Sequence, residues 1–274
     1  MKKFLFPLFN IFILLAFPLQ AIEIDMSLSN DISKEISNEL ALPTILGPDD
    51  RKEITGIGIG PGRAVVVIGS ESGNCSGAMV ASNIVITAAH CLVDEKGNYE
   101  KEISVYAVGL PQTLIHRCPY TKAKELWVPD QFIKTTIDNT NPKHTTKKRG
   151  FYDYGFIILD NDLGNRTSWL KLKVPSDEDL NKANITVIGH GGDKDFLTLW
   201  KSPGQIGKAT KYYVHHNADS VEGNSGGPIF KDDDPKNIIA LDNFEFDHFN
   251  FIRHYPNVGL RIRQEMIDTL NGLQ

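Results

Sequence analysis

The chain has no basic excess: 29 Lys and Arg face 34 Asp and Glu over 274 residues, for a formal charge of −5. A nucleic-acid binder needs a basic face, so that class is set aside. The one basic cluster, Lys143 to Arg149, is short, sits among Thr and Pro, and reads as a solvated loop. No His or Cys group shows metal-ligand spacing, so neither a metal nor any other cofactor is expected. There is no internal repeat, no low-complexity tract and no strand–helix alternation, which excludes a doubly wound parallel sheet. Cysteine is scarce and odd in number, Cys75, Cys91 and Cys118, so at least one thiol is left over. The one long apolar run, Phe4 to Leu19, is short for a membrane span and broken by Pro7 and Pro18.

That run follows Lys2 and Lys3 and ends at Gln20-Ala21. A charged start, an apolar middle and a small-residue exit make a secretory signal over 1–21, so a secreted or periplasmic protein is expected, with no membrane contact once the signal is removed. Residues 22–44 are polar and acidic, with at most a weak helix over Asn30–Leu42, and read as a propeptide or flexible arm. From residue 63 short apolar runs recur between Gly, Pro, Asn and Asp: Ala64–Ile68, Ile84–Thr87, Ile103–Val108, Gly155–Leu159, Ile185–Ile188, Lys211–Val214, Pro228–Phe230 and Ile238–Leu241. Many short strands at such spacing predict an all-β barrel or sandwich. Residues 261–272 carry Ile262, Met266, Ile267 and Leu270 on one helical face before Gly272, which predicts a C-terminal helix.

Three motifs carry chemistry. In Glu222-Gly223-Asn224-Ser225-Gly226-Gly227-Pro228 the glycines permit a tight turn and close approach of substrate to backbone, with the Ser hydroxyl exposed. The amides of Gly223 and Ser225 can then hold a developing oxyanion. In Thr87-Ala88-Ala89-His90-Cys91 a histidine leaves the end of a buried strand, where an imidazole of ordinary pKa near 6.5 serves as general base. In Tyr152-Asp153-Tyr154-Gly155 a carboxylate opens another apolar run, placed to hold that imidazole in one tautomer.

TAAHC, then the apolar-flanked Asp, then GNSGGP, in the chain order His, Asp, Ser, resemble the chymotrypsin-like serine proteases. Ile45–Arg51, Val187–Lys194 and Ala218–Ser220 are similar to stretches of the bacterial glutamyl endopeptidases, with His190 and Gly191 departing from that branch's usual Tyr and Pro. The resemblance implies two six-stranded antiparallel Greek-key barrels over 45–165 and 166–258, then the helix over 259–274. It also implies a monomeric endopeptidase acting on polypeptides with the triad His90, Asp153 and Ser225 and an oxyanion hole from Gly223 and Ser225. It further implies a Cys75–Cys91 disulfide bracketing His90, worth about 3 kcal/mol by loop closure. Cys118 is then free or pairs between molecules. Gly223-Asn224-Ser225-Gly226-Gly227 also satisfies the α/β-hydrolase elbow, but that fold needs its Asp and His after the Ser, and too little chain remains. A non-catalytic binding protein on the protease fold is the alternative from another class.

Specificity and activation follow from the same resemblance. Asn224 stands where zymogens of the mammalian type carry an Asp that pairs with the freed α-amino group, so removal of 22–44 is expected to act differently here, with the new terminus near the substrate pocket. Asp219, six residues before Ser225, stands at the pocket base and by itself favours Lys or Arg before the scissile bond. Asp242 stands where glutamyl enzymes place an acid-binding His, and a like charge there repels an acidic side chain. A slight basic preference is therefore expected. His215 and His216 lie in an apparent strand, where core or surface packing ranks above one of them facing the substrate, and His116, His144, His248 and His254 read as satisfied surface or core residues.

Overall fold

Val, Ile and Tyr crowd the segments between turns, and β-branched and aromatic side chains suit the pleated, half-buried surface of a strand. The computed structural model describes residues 45–55, 60–108, 119–137, 148–243 and 254–274, all within a compact unit running from Leu40 to Gln274. The expected signal 1–21 and arm 22–44, with the weak helix Asn30–Leu42, lie outside the described residues, as do Cys118, His116, His144 and His248.

After a short strand β1 (Lys52–Glu53), the first barrel is built from β2 (Val65–Ser70), β3 (Gly73–Met79), β4 (Ile84–Thr87), β5 (Ser104–Tyr106), β6 (Tyr120–Trp127) and β7 (Gly155–Leu159). It closes in the order β2-β3-β4-β7-β6-β5, every pair antiparallel. Helix α1 (Asp130–Ile137) follows β6, and helix α2 (Gly164–Thr167) follows β7.

A short strand β8 (Lys171–Leu172) and helix α3 (Asp177–Leu180) lead into the second barrel. Its strands are β9 (Asn184–Gly189), β10 (Trp200–Ala209), β11 (Tyr213–His216), β12 (Pro228–Lys231), β14 (Ala240–Asp242) and β15 (Asn257–Arg261), while β13 (Asn237–Ile238) pairs with β8. The sheet runs β10-β11-β15-β14-β12-β9, and β9 pairs back onto β10 to close it. Two closed six-stranded antiparallel barrels are thus the architecture, as the resemblance implied.

The run VVVI in β2 shows why the barrels pack. Val66 and Ile68 point into the first barrel with Met79, Ile84, Ile86 and Phe156. Val65 and Val67, on the opposite face, pack with Ile188, Leu199 and Phe230 of the second barrel. Strand alternation therefore divides one apolar run between two cores, and each fully buried side chain contributes about 1.5–3 kcal/mol.

Three elements depart from the expected positions. β1 pairs with β10, so residues 52–53 belong to the second barrel's sheet and not to the first barrel. The strand expected at Lys211–Val214 runs Tyr213–His216, because Thr210 closes a turn by accepting the Tyr213 amide at 3.0 Å on its hydroxyl. The last helix, α4 (Gln264–Leu273), starts late because β15 holds the chain extended to Arg261. Met266 and Leu270 of α4 are buried one turn apart, in the same cluster as Tyr154 and Phe156.

Candidate active site

Pairing of β4 with β7 sets Thr87 opposite Gly155. His90, three residues past that point, and Asp153, two residues before it, are thereby carried to the same end of the first barrel. The His90 Nδ1 lies 2.7 Å from Asp153 Oδ2, and the His90 amide donates to Asp153 Oδ1 at 2.8 Å. One carboxylate thus fixes both the ring and its own backbone. Asp153 is fully buried, while the His90 side chain is 17% exposed. Burial pushes the Asp153 carboxyl up, but the charge and hydrogen bonds of His90 outweigh it and hold the group below the ordinary carboxylate range. Asn243, which the sequence did not single out, donates its Nδ2 to the Asp153 carbonyl at 3.2 Å.

Ser225 sits on a turn closed by Asn224 N–H to Val221 O at 3.0 Å and Gly227 N–H to Asn224 O at 2.8 Å. Gly223 and Gly226 have φ of 94° and 80°, a region that side chains rarely tolerate. A Cβ at Gly226 would also run into Thr87 and Ala88, so absence of a side chain lets the turn rest on the segment leading to His90. Ser76 knots the two barrels here. Its amide donates to Ser225 O at 2.9 Å, its hydroxyl to Gly223 O at 2.8 Å, and it accepts the His190 amide at 2.8 Å. No described residue accepts a hydrogen bond from the Gly223 or Ser225 amide, so both donors are available for an oxyanion.

Cys75 and Cys91 form a disulfide with Cα atoms 6.2 Å apart. Cys91 Sγ also lies 3.8 Å from the Ser225 carbonyl oxygen, so the bridge buttresses both the histidine and the serine turn.

The two aspartates expected at the pocket are engaged elsewhere. Asp219 is buried, and its carboxylate accepts the amides of Leu46 at 2.8 Å and Asp50 at 3.4 Å. It anchors residues 45–51, an N-terminal arm distinct from the segment 22–44, and those amides occupy the carboxylate expected to receive a basic side chain. Burial raises the Asp219 carboxyl, partly offset by those two amides. Asp242 is also buried, with Oδ2 accepting the Ser220 hydroxyl at 2.6 Å and Oδ1 lying 3.5 Å from His216 Nε2, an ion-pair distance without hydrogen-bond geometry. His216, expected to pack rather than to face the substrate, is buried beside this carboxylate.

Arg51 completes the arm. Its side chain is 1% exposed and makes ion pairs with Asp49 at 2.8 Å and Asp193 at 2.5 Å. A Cβ on Gly191 would meet Arg51 Nη1, and the next residue, Gly192, donates its amide to Glu222 O at 2.7 Å. The arm thereby touches the loop that borders Gly223. The only sequence signal for Arg51 was its place in the Ile45–Arg51 stretch.

Among the described residues, the one compact group of potential metal ligands is Cys75, His90 and Cys91, whose ligand atoms lie within 4.8 Å of one another. Both sulfurs are spent in the disulfide and offer no thiolate.

Residues 75–241 match the model of the trypsin-like peptidase domain. The chain belongs to the trypsin-like peptidase family. It is similar to a glutamyl endopeptidase of Bacillus licheniformis, 28% identical over 236 residues, 85% of this chain and 69% of that one. It is also similar to a protein of Bacillus subtilis named extracellular metalloprotease, 25% identical over 235 residues, 83% of this chain and 68% of that one. A solved structure of a Glu endopeptidase in complex with MPD superposes with a TM-score of 0.67 at 19% identity, covering 84% of this chain and 99% of that one. As a trypsin-like peptidase the chain takes polypeptide substrates, and no helix among the described residues is long and apolar enough to cross a membrane.

Proposed function

We propose that this peptidase is an exported serine endopeptidase with His90, Asp153 and Ser225 as its triad. The observation that carries the reading is the 2.7 Å contact between His90 Nδ1 and the buried Asp153 carboxylate, at the strand end on which the Ser225 turn rests. Ser225 Oγ attacks the scissile carbonyl, and His90 takes its proton. Asp153 stabilises the imidazolium, and the Gly223 and Ser225 amides take the oxyanion. His90 then hands the proton to the leaving amine, and water releases the acyl group from Ser225 by the same steps in reverse. None of these steps needs a cofactor.

The slight preference for basic side chains loses its main support, because the Asp219 carboxylate is occupied by arm amides. The name of the Bacillus licheniformis relative, glutamyl endopeptidase, ranks an acidic side chain first. A freed α-amino group near Leu46 fits that ranking, since Leu46 is tied to the residue preceding Ser220 and an ammonium there would offset the local aspartates. Export is supported by the Lys2–Ala21 leader pattern and by the name of the extracellular Bacillus subtilis relative.

Labelling with a fluorophosphonate, which esterifies an activated serine, tests the reading. Processed protein is expected to label at Ser225, and Ser225→Ala to stay unlabelled. Processed wild-type chain that resists the reagent would favour the non-catalytic binding protein.

A further inference from the structure

Four rings form a ladder beside the nucleophile turn and across the two barrels. His190 and Phe196 meet edge to face with centroids 6.1 Å apart, Phe196 and Tyr106 edge to face at 5.6 Å, and Tyr106 and Tyr120 stack at 5.7 Å. Single exposed apolar residues are ordinary on a protein surface. This group differs in being contiguous while Phe196 and Tyr120 remain 51% and 60% exposed. The rings are in contact, yet much of their apolar surface still faces water.

The inner end of the ladder is fastened to the catalytic turn. The His190 amide donates to Ser76 Oγ, which itself donates to Gly223 O. The third ring, Tyr106, joins the hairpin that carries the disulfide. Tyr106 stands opposite Val67, and its ring abuts Gly69, whose partner across the hairpin is Asn74, next to Cys75. Cys75 is bonded to Cys91, the neighbour of His90. Asp219, bonded to the amides of Leu46 and Asp50, and Asp242, bonded to the Ser220 hydroxyl, are engaged with other segments. The ladder therefore lies with the general base and the disulfide, the side on which a proton passes to the departing amine.

We propose that this ladder is a binding site for the leaving-group half of the substrate, receiving an aromatic or large apolar side chain shortly after the scissile bond. The inference rests on the serine-peptidase reading of the same cleft. An incoming ring covers the exposed faces of Phe196 and Tyr120 and adds an aromatic pair, worth about three- to ten-fold in kcat/KM. The backbone of Gly223 lies at the inner end of the ladder, so a side chain held there also orders the chain as it leaves the oxyanion site.

The test is a peptide series in which each position after the scissile bond is changed in turn from Ala to Phe. Wild-type protein is expected to favour Phe at one position by about three- to ten-fold. Phe196→Ala and Tyr120→Ala should bring that ratio close to one, while Trp169→Ala, an exposed aromatic outside the ladder, should leave it unchanged. A flat scan with wild-type protein that labels fully with fluorophosphonate overturns the ladder site alone. A preference that survives both ladder variants overturns it as well. Protein that neither labels nor cleaves any peptide overturns the serine-peptidase reading together with the site.

Discussion

The backbone amide of Leu46 donates to the Asp219 carboxylate across 2.8 Å, joining positions 173 residues apart in the chain. One aspartate that the sequence offered as a specificity group thus serves as the anchor of the N-terminal arm. Replacing Asp219 by Ala is expected to lower kcat/KM for Glu, Lys and Phe peptides alike and to loosen the arm. A pocket-base carboxylate would instead lose only the basic substrates, so the pattern across the three peptides decides.

Arg51 clamps the same arm. Truncation to Ala leaves Asp49 and Asp193 with Lys194, at 3.0 and 3.6 Å, as their remaining cation. Asp193 is 41% exposed, so solvent screens the pair, and the expected loss is about 1–3 kcal/mol, below that of a fully buried bridge. Arg51→Lys keeps the charge but not the two-pronged geometry and should recover only part of that loss. If kcat also falls while KM holds, the clamp reaches the oxyanion turn through Gly191 and Gly192. Chemical denaturation and steady-state kinetics on the three proteins measure both effects.

Asp242 lies beneath the serine turn, with the Ser220 hydroxyl on Oδ2 and His216 Nε2 3.5 Å from Oδ1. Asp242→Asn removes a negative charge from this site, so cleavage after Glu should rise relative to cleavage after Lys. His216→Ala should move stability more than specificity, because it strands a buried carboxylate, with a loss of about 3–5 kcal/mol.

Asp153 and Asp193 both have carboxyls held below the ordinary range, Asp153 by His90 against its own burial and Asp193 chiefly by the hydrogen bond from Arg51. A depressed carboxyl contributes stability that is complete above its unfolded value, about 4, and is lost as pH falls through the lower folded value. The melting temperature should therefore stay level on these groups' account from neutral pH to about pH 5 and drop below about pH 4. Asp153→Asn should weaken that acid dependence. It should also lower kcat by about 10⁴ with KM little changed, the magnitude seen in the serine-protease template.

Removal of the Cys75–Cys91 bridge by paired serines should cost about 3 kcal/mol for a loop of 16 positions. Because Cys91 Sγ also touches the Ser225 carbonyl, kcat is expected to fall at temperatures where the protein remains folded. A chelator should leave cleavage unaffected, since both sulfurs beside His90 are already bonded to each other.

An all-β barrel or sandwich was legible because each apolar run stood between turn residues, and two barrels followed from the resemblance of the motifs to the chymotrypsin-like proteases. β10 was not legible: Pro203, Gly204 and Gly207 interrupt any alternation. Its glycines are required by close neighbours, Ala218 against Gly204 and the Tyr255 ring against Gly207, which only the folded chain brings near. β1 escaped notice for a similar reason, since two exposed charged residues become a strand only by pairing with Lys201 and Trp200.

The sequence alone pointed to His90, Asp153 and Ser225, because glycine freedom and strand ends are local properties and the order of the three motifs resembles that of the chymotrypsin-like proteases. The use of Asp219 and Asp242 was decided by tertiary structure. A carboxylate's role depends on which donors the fold delivers to it, and here the amides of Leu46 and Asp50 reach Asp219 from far along the chain while the Ser220 hydroxyl reaches Asp242. The same holds for the aromatic ladder, in which Tyr106 of the first barrel meets Phe196 of the second only because the two barrels share a seam.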